Sequence, residues 1–172
     1  MTNELTFEDF SDMEKIEAQY FDATDVMPAR ESFEIYLKDP RHIVVAWRGG
    51  RVVGFVLALS LKKQSFDAVK GGMLDETKIR ASDLDLGETA YQFVYLSSIA
   101  IDRSYRAEEI LMELWAKFRA RMREIAPHIR EVVTEPVTDE GRKIATKILK
   151  MKPYEKNPKM YFCIGSPKFF GV

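Results

Sequence analysis

FVYLSSIAIDRSYRAEEILMELWAKFRARMREI, residues 93–125, changes its hydrophobic period halfway along. Residues 93–101 are dense in apolar and β-branched side chains and too short for a buried helix, which predicts a central strand. A polar turn follows at residues 102–106. Apolar side chains then recur at Ile110, Leu111, Leu114, Trp115, Phe118, Met122 and Ile125, one face of an amphipathic helix. A buried strand running through a tight turn into a helix N-terminus is a common place to hold an anion, since unpaired amides and the helix dipole converge there.

Ser98-Ile99-Ala100-Ile101-Asp102 ends this strand, and Tyr105-Arg106 leads into the helix. On these residues the stretch resembles motif A of the GCN5-related N-acetyltransferases (GNATs), whose strand, Arg/Gln-x-x-Gly-x-Gly/Ala turn and helix hold acetyl-CoA. The resemblance implies that Ile99, Ala100, Ile101, Arg103, Arg106, Ala107, Glu108, Glu109, Ile110 and Leu111 border acetyl-CoA or another acyl-CoA. The two small positions of the turn fall here on Glu109 and Leu111. Glycine lets a diphosphate approach the backbone closely, and side chains obstruct it. Glu108 and Glu109 bring negative charge to the same place, although two acids in a first helical turn also complement the helix dipole.

At 172 residues the chain fits one domain, 1–172, with length enough to bury a sizeable core. Hydrophobic residues at 46% and charged residues at 31% describe an ordinary globule, and a formal net charge of −1 gives no reason to expect nucleic acid or an anionic membrane as partner. The single cysteine, Cys163, excludes an internal disulfide and suits a reducing compartment. In Met160-Tyr161-Phe162-Cys163-Ile164 it reads as a packed strand residue rather than a nucleophile. The opening Met1-Thr2-Asn3-Glu4 lacks the basic start and apolar stretch of a secretion signal, and the apolar run at residues 52–61 is about half a membrane span. A cytoplasmic protein is the expectation.

In chain order, Leu5-Thr6-Phe7 alternates and suits a first strand, and Ser11-Asp12-Met13-Glu14 has the form of a capping box for the helix after it. Phe33, Tyr36 and Leu37 mark a second helix ending near Asp39-Pro40. In GNATs two such helices border the acceptor pocket, so the resemblance brings Tyr20, Phe21 and Tyr36 toward substrate, unless they are core. Residues 42–47 and 52–61 are strands joined by Arg48-Gly49-Gly50-Arg51, whose glycines supply the positive φ angles of a two-residue turn. The following Val53-Gly54-Phe55 is a second block similar to GNATs. Residues 63–89 form a long insertion between the third and fourth strands, with apolar content for one short helix; a lid, a homodimer contact and a mobile surface loop stand equal. A strand at residues 130–134, a helix opened by Thr138 and stopped by Lys152-Pro153, and a last strand at 161–164 complete the order β-α-α-β-β-(loop)-β-α-β-α-β. That is the GNAT order. The fold class expected is α/β with a mixed, mostly antiparallel central sheet flanked by helices.

GNATs often read Asn-x-x-Ala-x-x-x-Tyr-x-x-x-Gly-Phe in the last helix, the Tyr giving a proton to the departing thiolate. Arg142, Ala145, Leu149 and Pro153-Tyr154 occupy those places here, so only the alanine is kept and Tyr154, Tyr161 or water would have to serve. The chemistry needs an amine made neutral by a nearby base, and donors for the developing oxyanion. In the fold implied, the fourth and fifth strands splay apart between residues 95–99 and 133–135. On that position Glu135 is the first candidate base and Glu88, before the fourth strand, the second. Ser97 and Ser98 stand near the thiol end, where strand serines also satisfy local backbone. His42 and His128 have no ligand spacing around them, and no metal site is expected.

Three functions remain open on these residues. One is acyl transfer from acetyl-CoA or another acyl-CoA to a small-molecule amine or a protein amine. The second keeps the reaction and takes the acyl group from a carrier protein, whose phosphopantetheine needs no diphosphate cradle. The third is a non-catalytic binding or regulatory module on the same fold, favoured by the joint loss of the glycines and the tyrosine.

Overall fold

Thr6 caps a helix instead of extending a strand. Its hydroxyl accepts from the Asp9 amide at 3.4 Å while the Asp9 carboxylate accepts from the Thr6 amide at 2.7 Å, a reciprocal capping box. This opens α1 (Phe7–Glu17) four residues before the Ser11-x-x-Glu14 box, whose Ser11 hydroxyl donates back to Phe7 O inside the helix. The strand expected at Leu5-Thr6-Phe7 is therefore absent, because local side-chain to backbone bonds satisfy those amides first. The computed structural model describes residues 4–125, 129–154 and 162–165.

After a 3-10 turn at Ala23–Asp25 comes α2 (Ala29–Lys38), then β1 (Ile43–Arg48) and β2 (Arg51–Ser60). Gly49 and Gly50 have φ of +58° and +77°, so the hairpin has the two-residue turn that the Gly-Gly pair predicts. The insertion is built structure: α3 (Lys63–Lys70) and two 3-10 turns, Glu76–Lys78 and Ala81–Asp83, with Phe66, Val69, Ile79 and Leu84 buried. β3 (Phe93–Ile101) and α4 (Ala107–Ile125) follow where the change of period puts them, and then β4 (Glu131–Thr134). α5 (Asp139–Lys143) continues into a π-type turn, Ile144–Ile148, in which the Leu149 amide reaches five residues back to Ile144 O. Lys150, with φ of +54°, ends it. Lys152-Pro153, expected only as a helix stop, begins β5 (Lys152–Tyr154), which pairs with β6 (Phe162–Gly165).

The sheet runs β1-β2-β3-β4-β6-β5, and among the described strands only β3 and β4 pair in parallel. Without the N-terminal strand, the insertion lies between β2 and β3. α1, α2 and α3 cover one face through Phe10, Ile35 and Phe66, in the same core as Tyr95 of β3, and α4 covers the other through Ile110, Leu114, Phe118 and Met122. Gly54 lets α4 seat closely: a Cβ there would stand 2.9 Å from Ile110 Cγ2 and 3.2 Å from Ala100 O.

Candidate functional site

Two local irregularities in β3 make the site. The first is where its pairing stops. Phe93, Val94 and Tyr95 face Glu131, Val132 and Val133 of β4, and beyond that the strands part, held at the fork by the Thr134 hydroxyl donating to Leu96 O at 2.8 Å. The second is a β-bulge. Leu57 of β2 faces Ser98 and Ala58 faces Leu96, which leaves Ser97 as the extra residue. The side-chain alternation slips by one there. Tyr95, Ser97 and Ser98 all turn to the α1 face, while Leu96, Ile99 and Ile101 pack toward α4.

A mostly apolar cavity of about 190 Å³ fills the fork. Leu96, Ser97, Ser98, Ile99 and Ile101 give one wall, Ala107 and Leu111 of α4 another, and Thr134, Glu135, Ile144, Ala145 and Leu149 the third. Tyr20 and Phe21, just past α1, close one end, and the Tyr20 hydroxyl donates to Ile101 O at 2.6 Å. Tyr36 is elsewhere, against Phe10 and Phe33. The place of the GNAT tyrosine is taken by Leu149, so the cavity has no hydroxyl there; the side chain of Tyr154, and Tyr161, lie outside the described residues.

Of the residues named from sequence, Ile99, Ile101, Ala107, Leu111 and Glu135 meet in this cavity. Ala100 and Ile110 are buried beside it, in the cores of the two faces. Arg103, Arg106, Glu108 and Glu109 are exposed at the mouth of α4. Arg103 lies over the Tyr20 ring at 4.5 Å, and Arg106 stands 3.8 Å from Glu109. Asp102 folds the turn itself, accepting from the Ser104 amide and hydroxyl at 2.9 and 2.7 Å. The α4 N-terminus thus offers a diphosphate two arginines together with three carboxylates. Glu88 is exposed in the turn before β3 and does not line the cavity. His42 is buried, its Nδ1 2.9 Å from Asp39 O, and burial lowers its pKa; His128 is outside the described residues.

Two carboxylates not anticipated from sequence sit under the bulge. Glu17, from the last turn of α1, is 6% exposed and accepts from Ser98 Oγ at 2.5 Å. Glu76, from the insertion, accepts from Ser97 Oγ, from Tyr95 OH at 3.2 Å and from Ser98 Oγ at 3.4 Å. Burial pushes Glu17 up to about 7, with the charge of Glu14 adding and the Ser98 bond opposing. Burial and then the charge of Glu17 push Glu76 up to about 8, against the bonds from Ser97, Tyr95 and Ser98. Glu135 is also raised, by burial and then by Asp75 and Asp25. Glu17 carried a readable signal, since it falls four residues after Met13 and seven after Phe10, on the buried stripe of its helix. Glu76 carried none.

No known family profile matches the chain, and no curated protein does. Solved structures match over nearly the whole length. A GNAT-like decarboxylase, GphF, in complex with isobutyryl-CoA aligns at TM-score 0.65 and 16% identity, covering 95% of this chain and 97% of that one. The loading GNATL domain of CurA from Lyngbya majuscula gives 0.66 and 13%, covering 95% and 96%. The PaiA N-acetyltransferase from Thermoplasma acidophilum, in complex with coenzyme A, gives 0.59 and 11%, covering 95% and 96%. The chain has the fold of the GCN5-related N-acetyltransferases: a mixed, mostly antiparallel sheet, flanked by helices and forked between its two parallel strands. Among the described residues no helix is long and apolar enough to cross a membrane.

Proposed function

We propose that the protein transfers an acyl group from a thioester to an amine, with the thioester lying in the β3/β4 fork. The observation that carries this is the coincidence of the fork, the bulge at Ser97 and the apolar cavity. Past Tyr95 no described strand pairs with this edge of β3, which leaves room for an extended arm such as pantetheine to pair with its amides and for an amide to donate to the thioester oxygen as charge develops there. The cavity walls are apolar enough to exclude water and strengthen those bonds. Proton acceptors stand close by: Glu135 lines the cavity, and Glu17 and Glu76 lie behind its serines. CoA-bound neighbours of the same fold support acetyl-CoA or another acyl-CoA as donor.

A second reading concerns the donor. Asp102, Glu108 and Glu109 crowd the α4 N-terminus with negative charge, which weakens a diphosphate site and matters less to the single phosphate of a carrier-bound phosphopantetheine. Thiol release from acetyl-CoA and from an acetylated carrier protein, each offered a panel of primary amines, tests both. Amine-dependent release from either donor supports acyl transfer and identifies the donor. Release from neither, with no amide formed by mass spectrometry, refutes it.

A further inference from the structure

Ala107 and Leu111 of α4 wall the cavity on one side of the sheet and Tyr20 and Phe21 close one end, whereas the bulge turns Ser97 and Ser98 to the α1 side. Both serines line the cavity, and both donate to carboxylates beyond it: Ser97 to Glu76, Ser98 to Glu17 at 2.5 Å and to Glu76 at 3.4 Å. The two carboxylates come from distant segments, the end of α1 and the insertion, and meet only because the bulge puts consecutive hydroxyls on one face. An unbulged strand would send one of them to the α4 side.

We propose that Glu76 takes the proton of the attacking amine, relayed through the hydroxyls of the bulge, and that Glu17 shares that proton. This rests on the acyl-transfer reading above. The ammonium passes a proton to Ser97 Oγ as Ser97 passes its own to Glu76 Oε1. The neutral nitrogen then bonds to the thioester carbon, the C–S bond breaks with its electron pair on sulfur, and the surplus proton on nitrogen goes to the thiolate through solvent. Glu76 returns its proton to solvent through Glu17. The charged and titratable groups around the pair are Glu14 on α1, Asp25 after it, Asp75 beside Glu76, Tyr95 on β3 and Glu135 after β4. Among the described residues none of these is cationic, so two carboxylates joined through Ser98 hold a proton between them near neutral pH, and the pair titrates as a unit.

The test is thiol release from acetyl-CoA against pH, with water, benzylamine or 1,4-diaminobutane as acceptor, for the wild type, Glu76→Gln, Glu76→Asp and Glu17→Gln. CoA-induced thermal stabilisation is recorded for each. The wild-type rate rises with pH through a midpoint near 8 and levels off above it. Glu76→Gln lowers it about 100-fold and removes that limb, while Glu76→Asp keeps the limb at reduced rate. Glu17→Gln moves the limb to lower pH, because the remaining carboxyl loses its negative neighbour. Glu76→Gln that keeps the wild-type rate and limb overturns the proposal and leaves acyl transfer standing. CoA stabilisation without thiol release to any acceptor also overturns it. Neither stabilisation nor release with acetyl-CoA, and no release from an acetylated carrier protein, removes acyl transfer as well.

Discussion

Carboxyls held at about 7 and about 8 make the stability of the fold depend on pH. Between an unfolded value near 4.5 and these folded values the native state binds more protons than the unfolded chain, so the contribution of Glu17 and Glu76 is full below about 4.5 and is lost as pH rises toward 8. The slope is at most about 1.4 kcal/mol per pH unit for each group. Glu76→Gln, neutral and nearly isosteric, is therefore expected to unfold in denaturant at the same midpoint as wild type near pH 4.5 and at a higher midpoint at pH 8. Equal midpoints at both would mean that Glu76 is not held against ionisation. The residue scale is also where the sequence was least legible. Glu135 could be placed from strand order alone, and it lines the cavity. Glu17 and Glu76 owe their bonds to Ser97 and Ser98 to a bulge, and Ser97-Ser98 in an otherwise regular strand gives no sign of one. Glu88 was close in sequence to the strand that matters, yet the turn before β3 leaves it exposed.

At the scale of elements, Gly54 sets how near α4 lies to β2, and so where the helix N-terminus stands beside the fork. Gly54→Ala puts a methyl group into contacts of 2.9 and 3.2 Å with Ile110 and Ala100 O, and is expected to cost about 1–3 kcal/mol in denaturant unfolding. A variant within about 0.5 kcal/mol of wild type would show that α4 can shift freely on the sheet. Most elements were readable because their periods are strong: the alternation of period in residues 93–125 gave β3 and α4, and Gly49-Gly50 gave the hairpin. The errors share a cause. At Thr6 a local capping box outcompeted an alternating tripeptide, and at Lys152-Pro153 a proline taken as a terminator opened an edge strand, where a missing N–H is tolerated. The insertion, read as loop with one helix, buries Phe66, Val69, Ile79 and Leu84 and ties α3 to β4 through the Lys70–Glu131 ion pair. Through Glu76 it backs the serines of the cavity, which length and charge alone do not reveal.

For the molecule as a whole, the mixed, mostly antiparallel sheet and its splay followed from the resemblance, although the N-terminal strand is absent and β5 was not expected; β3 and β4 are joined by the α4 crossover and diverge once their short ladder ends. What succession cannot give is the chemistry of the fork's two sides: an apolar cavity toward α4 and carboxylates toward α1. In the function proposed above, this fork holds the pantetheine arm of an acyl thioester. Thermal unfolding with acetyl-CoA, CoA and phosphopantetheine tests it most directly, because a ligand at 100 times its Kd adds about 2.7 kcal/mol whatever the acceptor. Ala107→Trp serves as control, filling the cavity wall from an exposed position. Acetyl-CoA and phosphopantetheine are both expected to raise the Tm of the wild type, and Ala107→Trp to abolish both shifts. No shift with any of the three ligands, or shifts untouched by Ala107→Trp, would contradict it.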